Sequence, residues 1–335
     1  MGSASCGSND TSADPVSLLV RELRACSRIL LLTHENPDGD GIGSVLALRL
    51  GLVALGKDVT CVAPEGCPRK YLFLPGAETL LAQAPADSYD CAVALDCDGE
   101  GRMADLSASF RSAPLRLSID HHQAECRFAD HNWCDGRRPA TGLMIWELLG
   151  ALGVAVTPEI ATCLYTAIAT DTGIFRFQNT TAEALRVGGE LVALGADASD
   201  IARRCADRLP APKARLLGRA LTSLRLVKGG AVLVAVLTEE DFDAAEALPE
   251  HTDGVIDELK RVEGAQVIVL LREQAPETWR VSLRSLEADV AAICREHGGG
   301  GHRLAAGCEM TGSLEAVVGQ LGSEAASALE APASR

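Results

Sequence analysis

The sequence predicts an α/β protein: a mostly parallel sheet flanked by helices, then a smaller α+β unit. Three observations carry this. Four short apolar runs, at 28–33, 58–63, 90–95 and 115–119, read as buried strands separated by helix-forming or turn-rich stretches, the pattern of a parallel sheet covered on both faces. Three of these runs end in polar residues of one kind: His34, Asp96, and Asp120-His121-His122. At 335 residues the chain exceeds the size at which one core keeps growing, so two domains are expected.

The first run passes directly into His34-Glu35-Asn36-Pro37-Asp38-Gly39-Asp40-Gly41, and a helical pattern (Val45, Leu46, Leu48, Leu50, Leu52) follows. In open α/β sheets ligands sit just past the carboxyl end of a strand. The plain alternative is a solvated turn in which Asp40 starts the helix, and this stretch alone leaves both readings open. Because the carboxyl ends of parallel strands share one edge, His34, Asp96 and Asp120-His121-His122 are expected to converge.

Segments 142–150 and 158–170 read as helices, and the second runs into Asp171-Thr172-Gly173. A carboxylate at the carboxyl end of an apolar helix opposes the helix dipole, and a cation would stabilise it there. Residues 197–212, rich in Arg, Ala, Asp and Pro, read as a linker between a domain at 15–196 and another at 213–330, with 1–14 as a disordered tail. The second domain shows strands at 223–227, 231–238, 266–272 and 278–285, and helices near 253–262, 287–297 and after Thr311. A run of glycines at 298–301 followed by His302 interrupts it.

Composition narrows the function. A net charge of −15, from 31 basic and 46 acidic residues, opposes gripping a long phosphate backbone, so long duplex nucleic acid is excluded as a partner. A small phosphate-bearing ligand survives, because a metal and a few local arginines reverse the field within one cleft. No apolar run reaches the ~20 residues of a membrane helix, and no signal-peptide pattern is found at the start. Twelve cysteines lack any C-x-x-C spacing, and Cys61, Cys91 and Cys163 sit inside apolar patterns. Scattered thiols of this kind point to a reducing, cytoplasmic setting.

His34, Asp38, Asp40, Asp96, Asp120, His121, His122 and Asp171 are too many ligands for one ion. Carboxylates mixed with imidazoles suit two divalent cations sharing a carboxylate, with Mn²⁺ expected first and Mg²⁺ or Co²⁺ as substitutes. Two such ions ~3.5–4 Å apart activate water and clamp both oxygens of a phosphoryl displacement. Phosphoester hydrolysis is the natural chemistry.

The ordered motifs His34-x3-Asp38-x-Asp40, a strand ending in Asp96, Asp120-His121-His122 and Asp171-Thr172-Gly173 resemble the DHH phosphoesterase superfamily. The glycine-rich stretch is similar to the hallmark of the DHH-associated domain. The resemblance implies that His34, Asp38 and Asp96 hold one metal and Asp40, Asp96, His121 and Asp171 the other. It gives His122 the leaving group and Asp120 the orienting of the imidazoles. It further implies that Arg284 and Ser285, with Gly299, Gly300, Gly301 and His302, bind a substrate phosphate. Successive glycines let backbone N–H groups approach an anion, which agrees with this part independently.

Arg102 and Arg176 are further substrate-binding candidates; Arg176 would turn away from Phe175 and Phe177 if the stretch were a strand. Arg137 and Arg138 read as surface residues, His131 and His251 as structural or surface groups, and the acids at 239–243 as helix-start carboxylates. His297 departs from the family pattern and has no assigned role. A Ser-Arg-Lys-type signature of the pyrophosphatase branch is not found. The chain is also too short and acidic for the single-strand track of RecJ-type exonucleases.

What remains resembles the nanoRNase/pAp phosphatase branch. This implies a Mn²⁺-dependent enzyme releasing 5′-mononucleotides from very short RNA or linear dinucleotides, with 3′-phosphoadenosine 5′-phosphate (pAp) as a further substrate and homodimers as in many relatives. Cyclic dinucleotide hydrolysis and a non-hydrolytic nucleotide sensor are the alternatives.

Overall fold

The computed structural model describes residues 14–122, 128–206 and 209–330. The chain divides into two compact units, Met1–Arg208 and Leu209–Arg335. The first runs α1 (Pro15–Ala25), β1 (Arg28–Leu32), α2 (Gly39–Ala54), β2 (Asp58–Val62), β3 (Leu80–Leu81), β4 (Cys91–Leu95), α3 (Leu106–Ser112), β5 (Arg116–Asp120), β6 (His131–Cys134), α4 (Thr141–Leu152), α5 (Pro158–Asp171), α6 (Ala182–Ala193) and α7 (Ala198–Cys205). Its six strands are all parallel, in the order β3-β2-β1-β4-β5-β6. The winding reverses between β1 and β4. At that switch point the connections leave in opposite directions and open a crevice beyond the carboxyl ends.

Apolar side chains cover both faces of this sheet. Ile29, Leu31, Val93, Leu95, Leu117 and Ile119 pack with residues of α2, α4 and α5. Leu30, Leu32, Ala92 and Ala94 turn to the other face, against Met103 and Phe110. Burial on two sides is why these strands read as unbroken apolar runs.

Three readings of the sequence need correction here. Asp14, placed in the tail, accepts a hydrogen bond from the Ser17 amide at 3.2 Å and caps α1, with Pro15 preset for the first helical position; residues 1–13 lie outside the described residues. The segment 197–212 contains α7, capped by Asp197, and the start of the next helix; residues 207 and 208 of that segment lie outside the description. Edge strands β3 and β6, and helices α1 and α3, were not anticipated.

The second unit runs α8 (Ala211–Thr222), β7 (Arg225–Val227), β8 (Val232–Leu237), α9 (Glu239–Ala245), α10 (Val255–Leu259), β9 (Val267–Ala275), β10 (Thr278–Ser285), α11 (Val290–Glu296), β11 (Gly300–His302), β12 (Ala305–Thr311) and α12 (Leu314–Ala328). The sheet order is β11-β12-β10-β9-β8-β7, with only β8 and β9 parallel. The acids at 239–243 open α9, where Thr238 and Asp241 form a capping box. The glycine-rich stretch is no open loop but the edge of a hairpin, β11 pairing with β12. Gly301, at φ +139°, would place a Cβ 2.6 Å from the Ala305 carbonyl oxygen, so only glycine fits there.

Among the described residues no helix is long and apolar enough to cross a membrane. Nine of the described cysteines are free, seven of them buried in or beside the helices and strands of the two cores, whereas Cys134 is disulfide-bonded, a departure from the expectation of thiols throughout.

Candidate metal centre

β1, β4 and β5 lie side by side, so the residues at and just beyond their carboxyl ends meet: His34, Asp96, and Asp120 with His121 and His122. The first turn of α2 brings Asp38 and Asp40 to the same place, and the last residue of α5 brings Asp171. Three overlapping groups result, each with ligand atoms within 4.8 Å of one another: His34-Asp38-Asp96, Asp40-His121-Asp171 and Asp96-His121-His122.

The spacings are those of neighbours around an ion rather than of hydrogen-bonded pairs. His34 Nε2 is 3.9 Å from Asp38 Oδ1 and 3.6 Å from Asp96 Oδ2. His121 Nε2 is 3.7 Å from Asp40 Oδ2, 3.5 Å from Asp96 Oδ1 and 3.7 Å from Asp171 Oδ2. Donors each about 2.0–2.2 Å from a shared cation and roughly 90–120° apart stand about 3–3.8 Å from one another. Asp96 turns one carboxylate oxygen to each imidazole, so it is the residue common to both sets.

Backbone carbonyls fix the imidazoles. His34 Nδ1 donates to the Glu35 oxygen at 2.8 Å and His121 Nδ1 to the Arg138 oxygen at 3.3 Å. A carbonyl only accepts, so the hydrogen sits on Nδ1 and each Nε2 offers its lone pair inward.

The carboxylates are equally constrained. Asp38 caps α2, accepting from the Asp40 and Gly41 amides at 2.9 and 3.1 Å. Asp40, fully buried, accepts from the Thr141 amide at 2.6 Å, the Gly142 amide at 2.8 Å and Ser44 Oγ at 3.2 Å. It thereby caps α4, whose own N-cap, Ala140, has no side chain able to do so. Thr141 Oγ1 donates to Asp96 Oδ1 at 3.0 Å, and Asp96 itself sits in the left-handed region at φ +58°. Asn179 Nδ2 donates to the Asp171 carbonyl at 3.1 Å.

Crowding shifts the acidities. Desolvation first, then the charges of Asp96, Asp171 and Asp38, holds Asp40 well above the usual carboxylate range. Desolvation and the charges of Asp96 and Asp38 push Asp171 up to about 6, against the pull of His121. Burial opposes a charge on His34, but its bonds to Asp38 and Asp96 raise it to about 10. His122 is raised to about 9 by its hydrogen bond to Asp120, 2.7 Å from Nδ1 to Oδ1. Among the described residues no lysine or arginine pairs with Asp38, Asp40, Asp96 or Asp171. Four carboxylates faced only by imidazoles, with Nε2 of both His34 and His121 turned inward, fit divalent cations, which would displace the proton that His34 holds in their absence.

The other sequence candidates fall in several places. Exposed Arg102 stands 3.3 Å from His34 Nδ1 through its guanidinium. Exposed Arg176 lies in a turn, not a strand, its Nε donating to the Gly173 carbonyl at 2.8 Å; alternation therefore does not orient it. In the second unit, Arg284 on β10 and His302 on β11 stand at one level of the sheet, both in register with Ala305. Ser285 points to the opposite face from Arg284, is buried, and accepts from the Glu287 and Ala288 amides at 3.2 and 2.8 Å, so its hydroxyl is committed to the turn before α11. Gly299 packs on Cys308, while Gly300 has open space around it.

His251 Nδ1 accepts from the Leu248 amide and His297 Nε2 lies 2.8 Å from Glu324, both contacts lying within the second unit. Sequence reasoning passed over Thr141, Gly41 and Asn179. Thr141 opens an apolar helix after Pro139-Ala140, the one signal that could have drawn attention to it.

A parallel sheet with this donor set at its switch point defines a class, enzymes that hydrolyse phosphoester bonds. Residues 28–168 match the DHH family, N-terminal domain, and residues 229–330 the DHHA1 domain; the chain belongs to the DHH family of phosphoester hydrolases. It is 37% identical over 289 residues to the bifunctional oligoribonuclease and PAP phosphatase NrnA of Thermus thermophilus, covering 85% of this chain and 84% of that protein. It is 25% identical over 303 residues to the Bacillus subtilis protein of the same name, covering 87% and 92%. An exopolyphosphatase-related protein from Bacteroides fragilis has the same fold, with a TM-score of 0.83 and 25% identity over 92% of this chain and 95% of that one.

Proposed function

We propose that the chain is a two-cation phosphodiesterase and phosphatase that releases 5′-mononucleotides from very short oligoribonucleotides and linear dinucleotides such as pGpG and pApA, and converts pAp to AMP. The observation that carries this is the convergence of His34, Asp38, Asp40, Asp96, His121 and Asp171 beyond the switch point of the sheet. Similarity over most of both chains to an oligoribonuclease and PAP phosphatase supports the substrate class.

On this reading His34, Asp38 and Asp96 hold one cation and Asp40, Asp96, His121 and Asp171 the other. The mixed carboxylate and imidazole set favours Mn²⁺ over Mg²⁺. Cations held there would supply an activated water and would neutralise charge on the phosphoryl oxygens. Asp120 engages His122 Nδ1, which leaves Nε2 of this half-exposed ring to face substrate and give a proton to the leaving oxygen. Arg102 and Arg176 border the centre as anion contacts, and Arg284, Gly300 and His302 of the second unit take a substrate phosphate. Nine free thiols among the described residues, against one disulfide-bonded cysteine, suit a cytoplasmic setting.

The test is chromatographic analysis of products from pApA, a trinucleotide, pAp and a cyclic dinucleotide, each with Mn²⁺ and with EDTA. Mononucleotide release from the first three, abolished by EDTA, is expected. No turnover of any of the three overturns the reading, and faster turnover of the cyclic substrate reassigns it.

A further inference from the structure

The second unit contains a cavity of about 390 Å³ that the metal centre does not use. Arg280, Ser282 and Arg284 of β10 line it, because strand alternation sends Val281 and Leu283 into the apolar core on the other face. Arg272 of β9 lines it too, directly opposite Arg280 in the strand register.

That pairing is unfavourable as it stands. Like charges facing each other across two strands repel. Among the described residues Arg272 and Arg280 form no ion pair, and of the cavity's three arginines only Arg284 has one, with Asp257 at 3.6 Å. Glu309, in register with Arg280 on its other side, is exposed and does not pair with it. Burial and then the charge of Arg280 make Arg272 harder to keep protonated. The lining contains three guanidiniums against the carboxylates Glu250 and Asp253, in a chain whose net charge is −15. Two guanidiniums set side by side in register without an ion pair, kept at the expense of repulsion, mark a place for an anion.

The spacing adds a second constraint. Arg280 and Arg284 are four residues apart on one strand, roughly 13 Å, too far for one phosphate to engage both ends. We infer that the Arg272–Arg280 pair is a second phosphate subsite, which holds a further backbone phosphate of a short oligonucleotide whose other phosphate lies at Arg284. The inference rests on the nucleotide reading above and not on the cations. Guanidinium forks suit phosphate oxygens bidentately, and the Ser282 hydroxyl between the two sites offers one more donor. A ligand with a single phosphate gains nothing from the pair.

The full chain in EDTA binds without hydrolysing, so calorimetric titration separates this from catalysis. A 5′-phosphorylated trinucleotide, AMP and inorganic pyrophosphate are titrated into wild type, the double variant Arg272→Gln/Arg280→Gln, and the charge-keeping Arg272→Lys/Arg280→Lys. Loss of charge-assisted hydrogen bonds weakens trinucleotide binding by about tenfold or more and reduces its salt slope by about 1.4, the value for two single-strand contacts. AMP binding stays within about twofold, the lysine variant recovers part of the trinucleotide affinity, and unchanged thermal midpoints show that all three proteins are folded.

Equal trinucleotide affinity in wild type and the glutamine variant overturns the inference, as does an equal loss for AMP. Tight pyrophosphate binding that depends on the pair would identify a compact diphosphate ligand instead and overturn the two-site form. Wild type that hydrolyses dinucleotides while the variants bind normally sinks the subsite alone. Wild type that fails to hydrolyse any substrate yet shows the binding difference sinks the proposed activity alone.

Discussion

Adding Mn²⁺ to the metal-free protein at pH 7.5 should raise its melting temperature markedly, and far less at pH 5. The cause is the cluster of Asp38, Asp40, Asp96 and Asp171, which no lysine or arginine neutralises among the described residues. An ion at 100 times its dissociation constant stabilises the folded state by about 2.7 kcal/mol. For a unit the size of Met1–Arg208, each kcal/mol moves the midpoint by about 2–4 °C, so one ion gives about 5–10 °C.

The pH dependence has a definite sign. Asp171 titrates at about 6 in the metal-free fold and Asp40 also lies well above its usual range, whereas unfolded aspartates titrate near ~3.9. A folded pKa raised in this way contributes stability that is complete below about pH 4 and is lost as pH rises through about 6. His34, raised to about 10, acts in the same direction, its contribution complete below its unfolded value and lost as pH rises through 10. Asp38 acts oppositely: burial resists its ionisation, but its bonds to His34 and the Gly41 amide lower it to about 2, so it gains nothing between pH 5 and 7.5. Cations therefore restore at pH 7.5 what protons supply at pH 5. Differential scanning fluorimetry across pH 5–8, with and without Mn²⁺, measures this. Equal shifts at both pH values, or no shift in wild type at pH 7.5, would refute the reasoning.

Three substitutions probe the same assignment. Asp96→Ala should lower kcat by roughly 10³ or more, since it removes the residue common to both ion sets; steady-state assays retaining most of kcat would contradict the shared position. Gly41→Ala would put a Cβ 2.5 Å from Thr33 Oγ1 and 3.3 Å from His34 Nε2, so Mn²⁺ affinity by calorimetry should fall at least tenfold; unaltered affinity would show that this space is not used. Arg284→Ala should raise KM about tenfold with kcat changed little, and the reverse pattern would place Arg284 in the chemical step.

The convergence at the strand ends was legible because parallel strands buried on both faces leave a strong apolar signal and align their termini on one edge. Thus His34, Asp96 and Asp120 to His122 could be grouped from spacing alone. Short edge strands β3 and β6 escaped because two to four residues with little burial carry no periodicity. α1 was hidden by its position next to a polar tail, although Asp14 and Pro15 mark its start. Thr141 and Asn179 could not be found from chemistry at their own positions, since Thr141 acts through the carboxylates of Asp40 and Asp96, distant in sequence, and Asn179 through the Asp171 carbonyl. The opposition of Arg272 and Arg280 likewise depends on register between strands, which no single run of residues encodes.

Asp40 is both a proposed ligand and the acceptor on which the first turn of α4 closes. His122, by contrast, is half exposed, and among the described residues its ring hydrogen-bonds to Asp120 alone, with Asp96 3.8 Å away. The two positions consequently face unequal fates when selection for activity relaxes. A descendant that no longer turned over nucleotides could discard the histidine at little harm to its architecture, while the buried aspartate would persist as a relic of the lost trade.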